Sequence, residues 1–180
     1  MTFTTIEYAV FMAITFVIYY LVPVKFQWMI LLLANGYFYW QTGWKSALFL
    51  VAVLLVSYVF GLLIEKNGQK RYVIAAAVFL FVLLLFVMRM PFASMIMPLG
   101  LSFYTLQCIG YCIEVHRETV PAEKNLLKYA VYISFFPHVL QGPFADYKEL
   151  KDQLFAPHRF DYDTALRGCY RIAFGLMKKW

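Results

Sequence analysis

Long apolar runs separated by short polar connections dominate the chain. A helix needs about 20 mostly apolar residues to cross the hydrocarbon layer of a bilayer, with roughly 17 as a lower bound. Five stretches meet or approach that length: 6–22, 26–40, 44–64, 72–88 and 95–113. The second is short and carries Asn35 and Gly36, so it is expected to tilt, break or meet a partner closely. A sixth stretch, 125–140, carries Lys128 and Ser134 and is interrupted by Pro137 and His138. It reads as a segment that enters the bilayer and turns back, an arrangement tolerated only where protein or a water-filled cavity surrounds the irregular backbone. From Asp163 onward, Leu166, Cys169, Tyr170, Ala173, Leu176 and Met177 recur at helical spacing, with Arg167 and Arg171 one turn apart on another face. Asp161 or Asp163 is placed to cap that helix. Such a helix suits an anionic membrane interface. It equally suits the interior of a larger protein whose acidic groups pair with the arginines. No Gly or Pro terminator stands near Trp180, so the chain reads as stopping within a helix.

The pattern predicts an all-α, polytopic helical membrane protein that is incomplete. Residues 1–94 form N-terminal transmembrane helices, and 95–180 hold a more polar helix, the re-entrant segment and the amphipathic tail. Composition agrees: 63% of residues are hydrophobic and 14% charged, against about 25% charged in soluble proteins. The net charge of +6 does not point to nucleic acid, because the basic residues sit mainly in short connections and in the last third. Lys25, Lys66, Lys70, Arg71, Arg117, Lys124 and Lys128 cluster at the odd connections, whereas the even ones hold Lys45 and Arg89. The positive-inside rule then puts the odd connections in the cytoplasm and the N-terminus outside. The basic tail is cytoplasmic only if 125–140 fails to cross, which is the arrangement expected. Residues 1–8 contain no Lys or Arg, so the first span reads as retained rather than as a cleaved signal. Cys108, Cys112 and Cys169 have no metal-ligand spacing and read as packing residues.

The fifth span carries the candidate chemistry. On a helical wheel Tyr104, Gln107, Cys108 and Tyr111 share one face, opposite Leu99, Leu106, Ile109 and Ile113. A polar stripe of this kind should face protein or a cavity rather than lipid. It fits either a hydrogen-bonded seam between helices or the lining of a substrate channel. Of the three histidines, His116 ends the fifth span, His158 lies in a polar loop, and His138 alone falls in a setting expected to be desolvated. Ser134 and Gln141 are placed to satisfy it. The chain has no H-E-x-x-H, G-x-S-x-G, Walker or G-x-G-x-x-G motif.

The run 97–107, Met-Pro-Leu-Gly-Leu-Ser-Phe-Tyr-Thr-Leu-Gln, resembles a segment of the membrane-bound O-acyltransferase (MBOAT) family. Glu114-Val115-His116-Arg117, Asn125-Leu126-Leu127, Ser134-Phe135-Phe136-Pro137, Gln141-Gly142-Pro143, His158-Arg159-Phe160-Asp161-Tyr162 and Gly175-Leu176-Met177-Lys178-Lys179 follow in the family's order and spacing. The resemblance is closest to bacterial alginate O-acetyltransferase-like members. Residues 1–94 match mainly in hydropathy.

The resemblance implies a bacterial inner-membrane, multi-pass enzyme of which residues 95–180 begin the core. Such an enzyme passes an acyl group, in this branch usually acetyl, from acetyl-CoA or another cytoplasmic thioester to a hydroxyl of an extracytoplasmic polysaccharide or carrier protein. No bound cofactor or metal is implied. The partners implied are the lipid bilayer, a C-terminal half of the same protein and an extracytoplasmic acceptor protein. The family's catalytic histidines belong to that second half, so no catalytic residue is assigned here. Tyr104, Gln107, Tyr111, His138, Gln141, Gly142 and Pro143 are assigned to a tunnel or chamber wall, Gly142-Pro143 more as a turn than as a ligand contact. His138 stands where the family commonly has Gln, and Phe144-Ala145-Asp146 replaces an Ile-Ser-Arg-like stretch. A competing class is a non-enzymatic membrane protein, such as part of a transporter or a scaffold subunit. Transporters often show internal repeats with broken helices in matching places, and this chain shows no repeat.

Overall fold

The computed structural model describes residues 6–66, 71–88, 100–139, 146–156 and 161–179, and the ordered elements within them are helical. In chain order they are α1 (Ile6–Leu21), a 3-10 turn (Val24–Phe26), α2 (Gln27–Thr42), α3 (Trp44–Lys66), α4 (Arg71–Met88), α5 (Leu101–His116), α6 (Leu126–Ser134), α7 (Phe136–Val139), α8 (Tyr147–Phe155) and α9 (Tyr162–Lys179). The expectation of an all-α membrane protein holds. α3 and α4 are long and apolar enough to cross a bilayer. At about 1.5 Å per residue, the 23 residues of α3 reach past a hydrocarbon layer of about 30 Å. α1, α2 and α5 have 16 residues each, and the expected start of α5 at 95–99 lies outside the described residues.

α5 is the central helix. It packs against α3, α4 and α6, while α2 packs against α1, α3 and α6. The buried face of α3 runs Leu50, Val53, Leu54, Ser57, Gly61 and Ile64, and that of α4 runs Val73, Ala77 and Phe81. Val51, Leu55, Val59 and Leu63 on α3 and Phe79, Leu83 and Phe86 on α4 point outward, exposed. Apolar side chains on both faces mean that hydrophobicity alone cannot choose which face packs, because lipid tails are as apolar as leucine. Ser57 and Gly61, one turn apart, choose it: the Ser57 hydroxyl accepts that of Tyr129 at 2.7 Å, and Gly61 leaves room for the Tyr111 ring. A Cβ on Gly61 would stand 2.6 Å from Tyr111 Cε1, so α3 and α5 meet at a distance only glycine permits.

Asn35 and Gly36 do not break α2, which runs through them; Asn35 provides a close meeting with a partner, whereas Gly36 faces open space. Asn35 is buried, on the same face as Ala34, Phe38 and Tyr39.

The sixth stretch is discontinuous as expected, but the interruption falls at Phe135, earlier than Pro137 and His138. Phe135 is extended at ψ 99°, after which α7 begins at Phe136. The reason is steric. A proline inside a helix loses a backbone donor and clashes with the carbonyl four residues earlier, here Ile133. The chain therefore leaves the helix first, and Pro137 falls in the first turn of α7, where its missing N–H costs nothing. α6 has nine residues, about 13 Å of helix, less than half a hydrocarbon layer.

α8 was not foreseen in the apolar pattern. It buries Tyr147, Leu150 and Leu154, a single stripe at spacings of three and four, and exposes Lys148 and Glu149. The start of α9 resolves the choice of cap: the Asp161 carboxylate accepts the backbone N–H of Thr164 at 3.3 Å, so Asp161 is the N-cap residue.

Candidate functional site

A helix that ends among other helices leaves four carbonyls without partners, and in a membrane water does not reach them. At the end of α6 two of these carbonyls, those of Val131 and Tyr132, and the N–H of Phe136 across the break are met by side chains, and the Ala130 carbonyl one position earlier takes a further hydroxyl. Ser134 donates its hydroxyl to the Ala130 carbonyl at 2.6 Å. Asn35 Nδ2 reaches the Val131 carbonyl at 3.5 Å and Ser134 Oγ at 3.0 Å. Gln107 Nε2 donates to the Tyr132 carbonyl at 3.1 Å. Across the break, the Phe136 N–H donates to Asn35 Oδ1 at 3.1 Å. Asn35 from α2 and Gln107 from α5 thus hold the open end of α6 from two sides. The Phe136 ring closes the same point, with its centroid 5.2 Å from that of Phe11 and 5.7 Å from that of Phe38.

Gln107 also faces a cavity of about 260 Å³ with Gly110, Ile113, Glu114, Tyr132 and Asp146 on its walls. It is the one polar-stripe residue that both caps a helix and lines open space. The other stripe residues are placed differently. Tyr104, Cys108 and Tyr111 are fully buried, and the Tyr104 hydroxyl and Thr105 Oγ1 have no hydrogen-bond partner among the described residues. The Tyr111 hydroxyl accepts the Glu123 N–H at 2.9 Å, and its ring lies 4.7 Å from Tyr129 and 5.0 Å from Tyr147. The polar stripe therefore faces protein, with Leu106 on the outer side 40% exposed.

Beyond the cavity two carboxylates fasten α8. Glu114, near the end of α5, accepts the backbone N–H groups of Tyr147 at 2.8 Å and Lys148 at 3.3 Å. A carboxylate from another helix thus caps α8, where the helix dipole favours negative charge. Glu123 accepts the Tyr147 hydroxyl at 2.7 Å and the Asn125 N–H at 3.3 Å, and pairs with Lys151 Nζ at 2.8 Å. The two carboxyls are pushed in opposite directions. Burial raises Glu114 above the usual carboxylate range, only partly offset by the Tyr147 and Lys148 N–H groups, with Asp146 adding to the rise. Burial also pushes Glu123 upward, but Lys151, Tyr147 and the Asn125 N–H outweigh it and hold the group below that range. Tyr147 is raised by burial and by the Glu123 carboxylate beside it. Both carboxylates are thus engaged in holding helices together.

His138 lies in α7, and Gln141, Gly142 and Pro143 lie outside the described residues, as does His158. His116 closes α5 with a buried Nδ1 that has no partner among the described residues. Among the described residues no group of three His, Cys, Asp or Glu side chains could hold a metal ion. The structure thus brings Gln107, Glu114, Tyr132 and Asp146 to one cavity and leaves Tyr104 and Tyr111 behind its wall. Asn35 was read only as a residue that tilts or breaks its helix or meets a partner closely; the structure shows the last of these, as a cap on α6. Its signal was its burial cost, since an amide in an apolar stretch needs a partner elsewhere in the chain.

Comparison with known proteins adds an independent line. The chain is 32% identical over 180 residues to a probable alginate O-acetylase of Pseudomonas fluorescens, covering 94% of this chain and 36% of that protein. It is 30% identical over 186 residues to the corresponding protein of Pseudomonas aeruginosa, covering 90% and 36%. A peptidoglycan O-acetyltransferase of Helicobacter pylori is 27% identical over 111 residues, covering 47% of this chain and 21% of its own length. The chain thus spans little more than a third of the alginate O-acetylases it matches. No family model matches the sequence, and no solved structure matches it.

Proposed function

We propose that the chain, with alginate O-acetylase relatives along nearly all of its length, forms the N-terminal part of an O-acetyltransferase of the membrane-bound O-acyltransferase family and builds one wall of its acyl-transfer chamber. The observation that carries this reading is the similarity to two kinds of polysaccharide O-acetylase, for alginate and for peptidoglycan. Their shared chemistry is attack of a sugar hydroxyl on an acyl carbonyl. In that step the hydroxyl oxygen bonds to the acyl carbon, the thioester C–S bond breaks, the hydroxyl proton passes to a base and the thiol leaves. The donor is acetyl-CoA or another acyl thioester on the cytoplasmic side, and the acceptor is an extracytoplasmic polysaccharide or carrier protein. The enzyme is a multi-pass protein of the bacterial inner membrane, with five crossings here and 125–140 re-entrant.

A general base has to lie within hydrogen-bond reach of the proton it takes. Glu114 and Glu123 are tied to α8, and Cys108 and Cys112 are buried. The resemblance to the family places its catalytic histidines outside these 180 residues, and in this reading the chain alone does not catalyse transfer. In this reading Gln107 lines the chamber, Tyr104 and Tyr111 set the position of α5 behind it, and His138, Gln141, Gly142 and Pro143 belong to the same wall.

The test is transfer from radiolabelled acetyl-CoA to alginate oligosaccharide in membranes. The chain alone should give no labelled ester. Co-expression with the remaining part of the Pseudomonas fluorescens relative should give it. Transfer by the chain alone would overturn the assignment of catalysis to residues outside it.

A further inference from the structure

α9 carries Tyr162, Leu166, Tyr170, Phe174 and Met177, which are 68, 40, 68, 60 and 71% exposed. At about 100° per residue these five fall within an arc of about 120°, one continuous apolar stripe along the helix. Arg167 and Arg171 lie along one edge of that arc, and both are exposed. Arg167 Nε donates to the Asp163 carbonyl at 3.2 Å within the helix. Among the described residues neither arginine forms an ion pair. Gly168 and Gly175 fall on the opposite side. The sequence of α9 holds four basic residues and one acidic one.

An apolar stripe of this size in water is costly, and the arginines at its edge call for negative charge. We propose that α9 lies in the plane of an anionic bilayer surface, with its aromatic stripe at the headgroup–acyl boundary and its arginines on lipid phosphates. The charge pattern, taken with the bilayer-length helices of the same chain, favours this occupant over an acidic protein surface. Exposed arginines bordering an apolar face match a layer that is apolar below and negatively charged above. The long, apolar α3 and α4 of the same chain supply the membrane. The inference rests on membrane insertion and not on the acyl-transfer reading.

The experiment uses the full chain, with Cys169 replaced by serine, reconstituted in phosphatidylcholine bilayers with and without phosphatidylglycerol. A nitroxide is attached at Tyr170→Cys or at Gly168→Cys; the buried Cys108 and Cys112 do not react. Collision rates with oxygen and with a water-soluble nickel chelate give the depth of each label. The label at 170 should favour oxygen and that at 168 the nickel chelate. Phosphatidylglycerol should deepen the label at 170, and R167Q together with R171Q should abolish that dependence. Strong nickel access at 170 would leave α9 in solvent. Shielding of 170 from both reagents would place it against protein. Either result overturns the proposal, as would a depth at 170 indifferent to phosphatidylglycerol.

Discussion

Asn35 Oδ1 accepts the backbone N–H of Phe136 at 3.1 Å, across 101 residues of chain. One side chain on α2 thereby completes the backbone hydrogen bonding of a helix break elsewhere. Replacing Asn35 by leucine strands the Phe136 N–H and removes the donor to Ser134. Leaving a buried polar group unpaired costs about 1–3 kcal/mol, so N35L should lose about that much stability in detergent denaturation. Gly36→Ala, with open space at its Cβ, serves as the control and should not be destabilised. Equal behaviour of the two variants would refute this role.

The contact of Gly61 with Tyr111 makes a second prediction. A methyl at position 61 would overlap a ring that is tied by its hydroxyl to the Glu123 N–H and flanked by Tyr129 and Tyr147. Overpacking of this kind costs about 1–3 kcal/mol, so G61A should unfold at lower temperature. Gly110→Ala meets nothing within 4 Å, and should gain about 0.5–1 kcal/mol from reduced chain entropy. A neutral G61A would show that the helices separate freely there.

Protonation should loosen α8 in a defined direction. Glu123 is held below its ordinary value of 4.5, so its stabilising contribution is present above that pH and is lost as pH falls through the lowered value. Glu114 has the opposite sign: its raised value favours the protonated fold, and that contribution disappears as pH rises through it. E123Q should therefore flatten the acid side of a plot of melting temperature against pH, whereas E114Q should flatten the limb above pH 4.5. An acid limb unchanged in E123Q would remove Glu123 from this account.

The side of the membrane on which α8 lies is measurable at Lys148, whose side chain is exposed. Lys151 is a poor reporter, because it is paired with Glu123. A cysteine at 148 should react with an impermeant maleimide only in inside-out vesicles. Reaction in intact cells would make 125–140 a complete crossing and reverse the orientation of the tail.

Apolar length made the helices legible, and the polar stripe on α5 correctly announced a face turned toward protein. Less legible was what each polar residue does, because partners lie far apart in the chain. Asn35 reads locally as a defect in an apolar run, and only contact with 131–136 turns it into a cap. α8 escaped the hydropathy pattern because it is short and mostly polar, with three buried residues as its only apolar stripe. Its capping carboxylate comes from Glu114, 33 residues before Tyr147, where no local capping motif records it. The packing face of α3 was written in Ser57 and Gly61 rather than in its leucines and valines.

The break after α6 has a consequence for insulation. A change of chain direction in a membrane ordinarily invites water to follow the exposed peptide groups. Here the carbonyls of Ala130, Val131 and Tyr132 and the N–H of Phe136 are answered by Ser134, Asn35 and Gln107, and the rings of Phe11, Phe38 and Phe136 close over them. No water is needed to satisfy these four groups. A break built in this way is suited to apolar surroundings, because its polar groups are answered from within the chain.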